Sequence, residues 1–188
     1  MKNIISTFTG QSFNVLTPDP LTVKIEDIAH ALSLLCRANG HFNRFYSVAE
    51  HSINCCKEAA ARGYDKTIQL CCLLHDASEA YMCDIPRPIK GQAYMENEDR
   101  LEKAILTALA PHCIKPFFAE QALWHMIDDT MLYWEFENYF KNDVKANPIP
   151  DNGQMLHIML SSQIRPFEDV QNEFLALYKE LTKELIND

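Results

Sequence analysis

The run from Ile68 to Leu74 is apolar at every position except Gln69 and ends in His75-Asp76. An element that is apolar on all faces belongs inside a fold, so the segment from about Thr67 to Met82 is expected to be a buried helix with the rest of the chain packed around it. A buried helix that ends in an imidazole and a carboxylate must find partners for both, because unpaired polar groups are costly in an apolar interior. A neutral imidazole nitrogen beside a carboxylate oxygen is a grip for a divalent metal. Glu79 lies four residues after His75 and three after Asp76, one turn on along a neighbouring helix face. A carboxylate there can handle the protons of a water held by such a metal.

The flanking segments read as further helices. Ile25, Ile28, Ala29, Leu32, Leu35 and Cys36 recur at helical spacing and stop before Gly40, so a first helix is expected to end around Arg37 to Asn39. Ser47-Val48-Ala49-Glu50 has the form of a capping box. It opens a helix from about Val48 to Arg62 that Gly63 closes, with His51 in its first turn. Pro86 and Pro88 force an extended turn. Glu96 to Leu109 reads as a charged amphipathic helix, punctuated by Pro111 and Pro116, and Phe117 to about Lys141 as a long, aromatic-rich helix carrying His125, Asp128, Asp129 and Glu135. Asn147 to Gly153 reads as a loop and Pro166 to Ile186 as a final helix. Before Ile25, β-branched residues mixed with Gly10, Pro18 and Pro20 suit an extended arm with a short strand or hairpin. The expected fold is all-α, a bundle of about six or seven helices with an extended N-terminal arm in a single domain over residues 1–188.

Composition removes several function classes. Although 47% of the chain is hydrophobic, no run approaches the roughly 18 to 20 uninterrupted apolar residues of a membrane span. The segment Met1-Lys2-Asn3-Ile4-Ile5-Ser6-Thr7 has no long apolar core of the signal-peptide kind, so a cytoplasmic protein without a membrane partner is expected. The formal charge is -9, from 17 basic and 26 acidic residues, which opposes binding of a long nucleic-acid duplex. A small anion held at a local positive site is compatible with it. The cysteines are seven, an odd number, and none are spaced as the ligand pairs of a zinc ribbon are. Cys55-Cys56 and Cys71-Cys72 fall inside apolar helical patterns and read as reduced thiols acting as small core residues.

The ordered set His51, His75-Asp76 and Asp128, with the strings Leu73-Leu74-His75-Asp76-Ala77-Ser78-Glu79 and Asp84-Ile85-Pro86-Arg87-Pro88-Ile89-Lys90, resembles the HD-domain metal-dependent phosphohydrolases. It is most similar to the branch with bacterial 5'-deoxynucleotidases and phage dATP triphosphohydrolases. Asp27 to Ser33 and Phe45 to Ser52 also look like small hydrolases of this superfamily, and the resemblance runs from about residue 7 to residue 140. It implies His51, His75, Asp76 and Asp128 as ligands of one divalent metal, with Asp128 favoured over its neighbour Asp129. Two imidazoles and two carboxylates suit Mn, Co, Fe, Ni or Zn, and Mg less well. About two positions of a six-coordinate ion would stay open.

By the same resemblance Glu79 is the general acid/base and Asp84 orients the water that attacks phosphorus. Arg37 and Lys90 match cationic positions of the nucleotidases and would clamp phosphate, while His41, Arg44 and Arg87 are weaker candidates. The nucleotidases carry a tryptophan directly after the arginine, whereas Ala38 follows Arg37 here, which removes their sugar-discriminating contact. The expected activity is hydrolysis of a small nucleotide, a deoxynucleotide mono- or triphosphate, and the oligomers common in the superfamily imply a homo-oligomer. The rivals are a noncatalytic nucleotide-sensing HD domain, against which Glu79 and Asp84 argue, and a binuclear HD phosphodiesterase or nuclease. A binuclear site would draw on His112 and His125, although His112 sits between prolines in what reads as a surface turn.

Overall fold

A computed structural model describes residues 3–140 and 149–187. The fold is an all-α bundle preceded by a small hairpin. Strands β1 (Ile4–Ser6) and β2 (Ser12–Asn14) pair antiparallel, and Gly10 turns between them with a positive φ of 82° that an L side chain rarely adopts. The helices are α1 (Ile25–Leu34), α2 (Val48–Ala61), α3 (Lys66–Leu74), α4 (Glu79–Met82), α5 (Gln92–Leu109), α6 (Ile114–Ala119), α7 (Gln121–Tyr139) and α8 (Phe167–Asn187). Helix α3 is the central element. Asp65 caps it by accepting from the Ile68 amide at 2.9 Å, and every residue from Ile68 to Leu74 is buried. It packs against α2, α6, α7 and α8, as its apolar composition requires. Helix α8 contributes Val170, Phe174 and Leu181 to the same core. Among the described residues no helix is long and apolar enough to cross a membrane.

Helix α5 starts at Gln92, four residues before the expected Glu96, and three further helix boundaries differ from the sequence expectation, each for a local reason. The first helix stops at Leu34, and Arg37–Gly40 forms a separate tight turn in which Ala38, Asn39 and Gly40 all take positive φ, at 53°, 51° and 75°. The helix expected from Thr67 to Met82 is interrupted at His75–Ser78. There the Ser78 amide donates to Glu102 Oε2 of α5 at 3.2 Å. Its neighbours tighten to three-residue bonds, Ala77 to Leu74 and Glu79 to Asp76. The helix expected from Phe117 to Lys141 is divided at Glu120 into α6 and α7; Lys141 itself lies outside the described residues, as do Asn147 and Pro148 of the expected loop. Pro116 falls in the first turn of α6, where its missing amide is not needed.

Residues 149–166 form neither helix nor strand, yet they run along α2 and α7 as a strap. Several of its backbone groups are held by side chains of these helices, and others by its own Asp151, Asn152 and Ser161. Glu58 of α2, fully buried, accepts from the amides of His157 and Ile158 and from Arg62 Nε at 2.7 Å. Trp134 Nε1 donates to the Gln154 carbonyl at 3.0 Å, and Tyr139 Oη to the Ser161 carbonyl at 2.8 Å. Burial alone would raise the Glu58 carboxyl, but the Arg62 and His157 donors outweigh it and hold the group below its ordinary value. A carboxyl depressed in the folded state stabilises the fold fully above its unfolded value and loses that contribution as pH falls through the folded value. Glu58→Ala is therefore expected to cost about 3 kcal/mol, because it leaves buried donors unpaired. Acid titration of the wild type should release the strap before the helices melt, read by limited proteolysis within 149–166 alongside far-UV circular dichroism.

Candidate metal centre

Four side chains from three parts of the bundle converge at the end of α3. His51 comes from the first turn of α2, which starts there because Ser47 accepts from the Glu50 amide at 3.2 Å. His75 and Asp76 come from the tight turn after α3, and Asp128 from the buried face of α7. His51 Nε2 lies 3.2 Å from His75 Nε2, 3.1 Å from Asp128 Oδ1 and 3.7 Å from Asp76 Oδ2. His75 Nε2 lies 3.4 Å from Asp76 Oδ2 and 3.6 Å from Asp128 Oδ1. Donors that share one small cation at nitrogen and oxygen bond lengths of about 2.0 to 2.2 Å stand about 3 to 3.5 Å apart.

The ring tautomers follow from what lies behind them. His51 Nδ1 is 2.6 Å from Glu135 Oε1, and His75 Nδ1 is 2.8 Å from the Cys72 carbonyl. Both partners only accept, so each Nδ1 carries a proton and each ring turns its Nε2 toward the other ring and toward two carboxylates. Asp128 Oδ1, buried and facing the same point, accepts no hydrogen bond. Such an arrangement calls for positive charge. Burial and Arg37 push the His51 imidazole toward neutrality, yet Cys55, Glu135 and Asp128 outweigh them and hold its proton above the ordinary range. Burial opposes ionisation of Asp128 as well, and the two histidines reverse that and keep its carboxyl well below the usual value. The residues thus fit a bound divalent cation.

Cys55, one turn beyond His51 on α2, is a free thiol in the buried core as expected, and it also belongs to this cluster. Its Sγ is 3.4 Å from His51 Nε2, and the ligand atoms of His51, Cys55, His75 and Asp128 all lie within 4.8 Å of one another. Burial pushes its thiol up to about 11. The i, i+4 spacing from His51 carried this signal, hidden by the apolar setting that made the residue look structural. Glu135 is the other residue whose role was not read from sequence. Fully buried, it accepts from His51, from Arg37 Nε at 3.0 Å and from Tyr46 Oη at 2.7 Å.

The remaining expected site residues divide. Arg37 is at the centre, donating to Asp76 Oδ2 at 3.1 Å and to Glu135, with NH2 3.7 Å from Asp128 Oδ1. Glu79 is buried with Oε2 unpartnered, and Lys90 Nζ stands 3.9 Å from its Oε1 while donating to Glu98 at 2.7 Å. Burial, then Asp76 and Asp84, raise the Glu79 carboxyl well above its ordinary value. Asp84 accepts from the Ala38 amide at 3.2 Å, and burial raises it too, against the pull of Arg37. Arg44, by contrast, is committed to structure: it donates to both oxygens of Glu50 at 2.7 and 2.8 Å and to the Ser161 carbonyl, and it lies over the rings of Tyr46 and Tyr139. That pairing draws Glu50 away from the Ser47 amide, so the expected capping box forms only its serine half. His41 is an exposed residue at the end of the Arg37–Gly40 turn. Asp129 is on the rim, 46% exposed and paired with Arg87 NH1 at 2.6 Å, while Arg87 NH2 reaches Asp128 Oδ2. His112 lies in the short turn Pro111–Cys113, and the His125 ring stacks on Trp124 at 3.8 Å; neither belongs to the metal-capable cluster among the described residues.

The helical fold with this His/Cys/Asp cluster fits a metal-binding fold of the HD type. No family model matches the chain. A protein of Rhodobacter capsulatus, itself described as uncharacterized, is 39% identical over 120 residues, covering 57% of this chain and 61% of that one. The uncharacterized protein YfdR of Escherichia coli is 35% identical over 105 residues, 55% of this chain and 56% of its own. The chain thus spans about three fifths of the length of the curated relatives it matches. The geometry predicts that His75→Ala removes the bound metal while the helical circular dichroism persists, since apolar burial carries most of the folding energy. Asp129→Asn should keep full occupancy by elemental analysis, and loss of metal in that variant would move the ligand from Asp128 to its neighbour.

Proposed function

We propose that the protein is a metal-dependent phosphohydrolase of the HD type acting on a small nucleotide. What supports this reading best is the convergence of His51 Nε2, His75 Nε2, Asp76 Oδ2 and Asp128 Oδ1, with the buried Glu79 carboxyl raised well above its ordinary value by burial and by Asp76 and Asp84. A divalent cation held by those four residues would acidify a water and neutralise phosphate oxygens. The surrounding side chains account for the rest of the chemistry. Glu79, its carboxyl raised by burial and by its acidic neighbours, gives a proton to the departing oxygen. Asp84, fixed by the Ala38 amide, orients the attacking water. Arg37 NH2, the least committed donor of that guanidinium, and Lys90 beside Glu79 bind phosphate oxygens and balance the charge that develops on them.

The position after Arg37 bears on the sugar. Ala38 sits in a left-handed conformation with its amide held by Asp84, and it offers only a methyl group at the place where the resembling nucleotidases carry an aromatic ring. Discrimination between deoxyribose and ribose must therefore come from other groups, and a preference for deoxynucleotides is proposed with that reservation built into its test. Purified protein loaded with Mn or Co should hydrolyse one or more members of a panel of dNMPs, NMPs and dNTPs. Chromatography separates release of orthophosphate from release of triphosphate. Equal turnover of dNMPs and NMPs with none on dNTPs would refute the deoxynucleotide preference, and no turnover on the whole panel would refute the nucleotide assignment. Glu79→Ala should retain metal and substrate affinity yet lose on the order of 10²-fold in turnover, the scale of a positioned acid or base.

A further inference from the structure

We propose that Cys55 is a thiolate donor to the cation held by His51, His75, Asp76 and Asp128, making the centre a mixed nitrogen, oxygen and sulfur site that favours zinc, cobalt or iron over magnesium and manganese. The inference rests on the reading of this cluster as a metal centre and deepens it. Cys55 follows His51 by one helical turn, so its side chain rises on the same face of α2, whereas Cys56 is turned away by about 100°. Its Sγ is 3.4 Å from His51 Nε2 and within 4.8 Å of the His75 and Asp128 ligand atoms. Asp128 Oδ1, buried and without a hydrogen bond, independently marks the same space as one built to hold something more than side chains.

Cys55 Sγ and a cation at His51 Nε2 would occupy neighbouring positions. His51 Nδ1 faces Glu135, so Nε2 is the ring atom turned toward both. A cation bound there leaves the Cys55 S–H no acceptor on His51 and puts a positive charge beside it. The outcome that leaves no polar atom stranded is loss of the S–H bond: the proton passes to water and a sulfur lone pair forms the bond to the cation. A soft thiolate among imidazoles shifts selectivity toward zinc, cobalt and iron, since magnesium and manganese prefer oxygen. It also leaves an octahedral ion about one open position in place of the two that a four-donor set would leave.

Cobalt(II) alone, added to metal-free protein, tests this without reference to any substrate. The wild type should show visible ligand-field bands, which report that cobalt is bound, together with a near-ultraviolet thiolate-to-cobalt charge-transfer band. Cys55→Ala, and Cys55→Ser as the closer isostere should the alanine variant misfold by circular dichroism, should keep the visible bands and lose the near-ultraviolet one. Competition titrations should show zinc affinity falling by on the order of tenfold more than manganese affinity in these variants, the scale on which supporting groups act at metal sites. Ligand-field bands without the charge-transfer band in the wild type would overturn the thiolate and leave the metal centre standing, as would a charge-transfer band that survives in both variants. Absence of any cobalt binding would overturn the metal centre and the thiolate together.

Discussion

The carboxylate of Glu135 ties the site to the fold. It is fully buried on α7 and accepts from His51 on α2, from Arg37 in the turn after α1, and from the Tyr46 hydroxyl just before α2. Burial alone would raise its carboxyl, but His51 and Arg37 keep it below its ordinary value. It is therefore an anion in the interior with three donors from segments far apart in the chain. Removing it would take the acceptor from three charged or polar groups at once, which together tie α2 and the turn after α1 to α7. The same bond sets the His51 tautomer, which makes the shape of the bundle and the chemistry of the centre consequences of one group.

Charge explains why so many carboxylates tolerate one another here. Asp76, Asp128 and Glu135 surround Arg37 within 3.7 Å, and Glu79 and Asp84 follow at the rim. The protein answers part of this density by burying Glu79, whose carboxyl is held well above the ordinary value by burial and by its acidic neighbours, and by bringing Arg87 to the outer oxygen of Asp128. The remainder gathers around two imidazole nitrogens and an Asp128 oxygen that has no hydrogen bond, an arrangement that a divalent cation would fit. Arg44 and Glu50, a few residues away, show the other solution available to a buried ion pair: one guanidinium nitrogen shared by both carboxylate oxygens, with the leftover donors satisfied by the Phe45 and Ser161 carbonyls.

The all-α fold was legible from apolar periodicity, and the candidate set His51, His75, Asp76 and Asp128 from their order and the strings around them; His51, His75 and Asp76 sit at a helix start or end, while Asp128 lies mid-helix on the buried face of α7. What escaped was decided by partners distant in the chain. Nothing between Thr67 and Met82 disfavours a helix, and the break at His75–Ser78 accompanies a bond to Glu102, 24 residues on. The capping box was half right because Arg44 draws away its glutamate. Cys55 looked like filler because a buried thiol and a ligand thiol have the same neighbours in sequence. The strap at 149–166 has no period to read, because several of its backbone groups are held by side chains of α2 and α7.

If the proposed centre holds a metal, the wide separation of its candidate ligands has a consequence for how the molecule is made. His51, Cys55, His75 and Asp76 fall within one stretch of α2 and α3, while Asp128 and the Glu135 that orients His51 arrive much later, the latter 84 residues after its partner. Long-range closures of this kind come late in folding, because the entropy of the intervening loop must be overcome first. A chain emerging from the ribosome would present an incomplete, more mobile set of donors well before α7 exists. Metal captured at that stage would be held loosely and exchangeably. Only docking of α7 would select the final ion, so in the cell the identity of the metal would be decided in the last step of folding rather than the first.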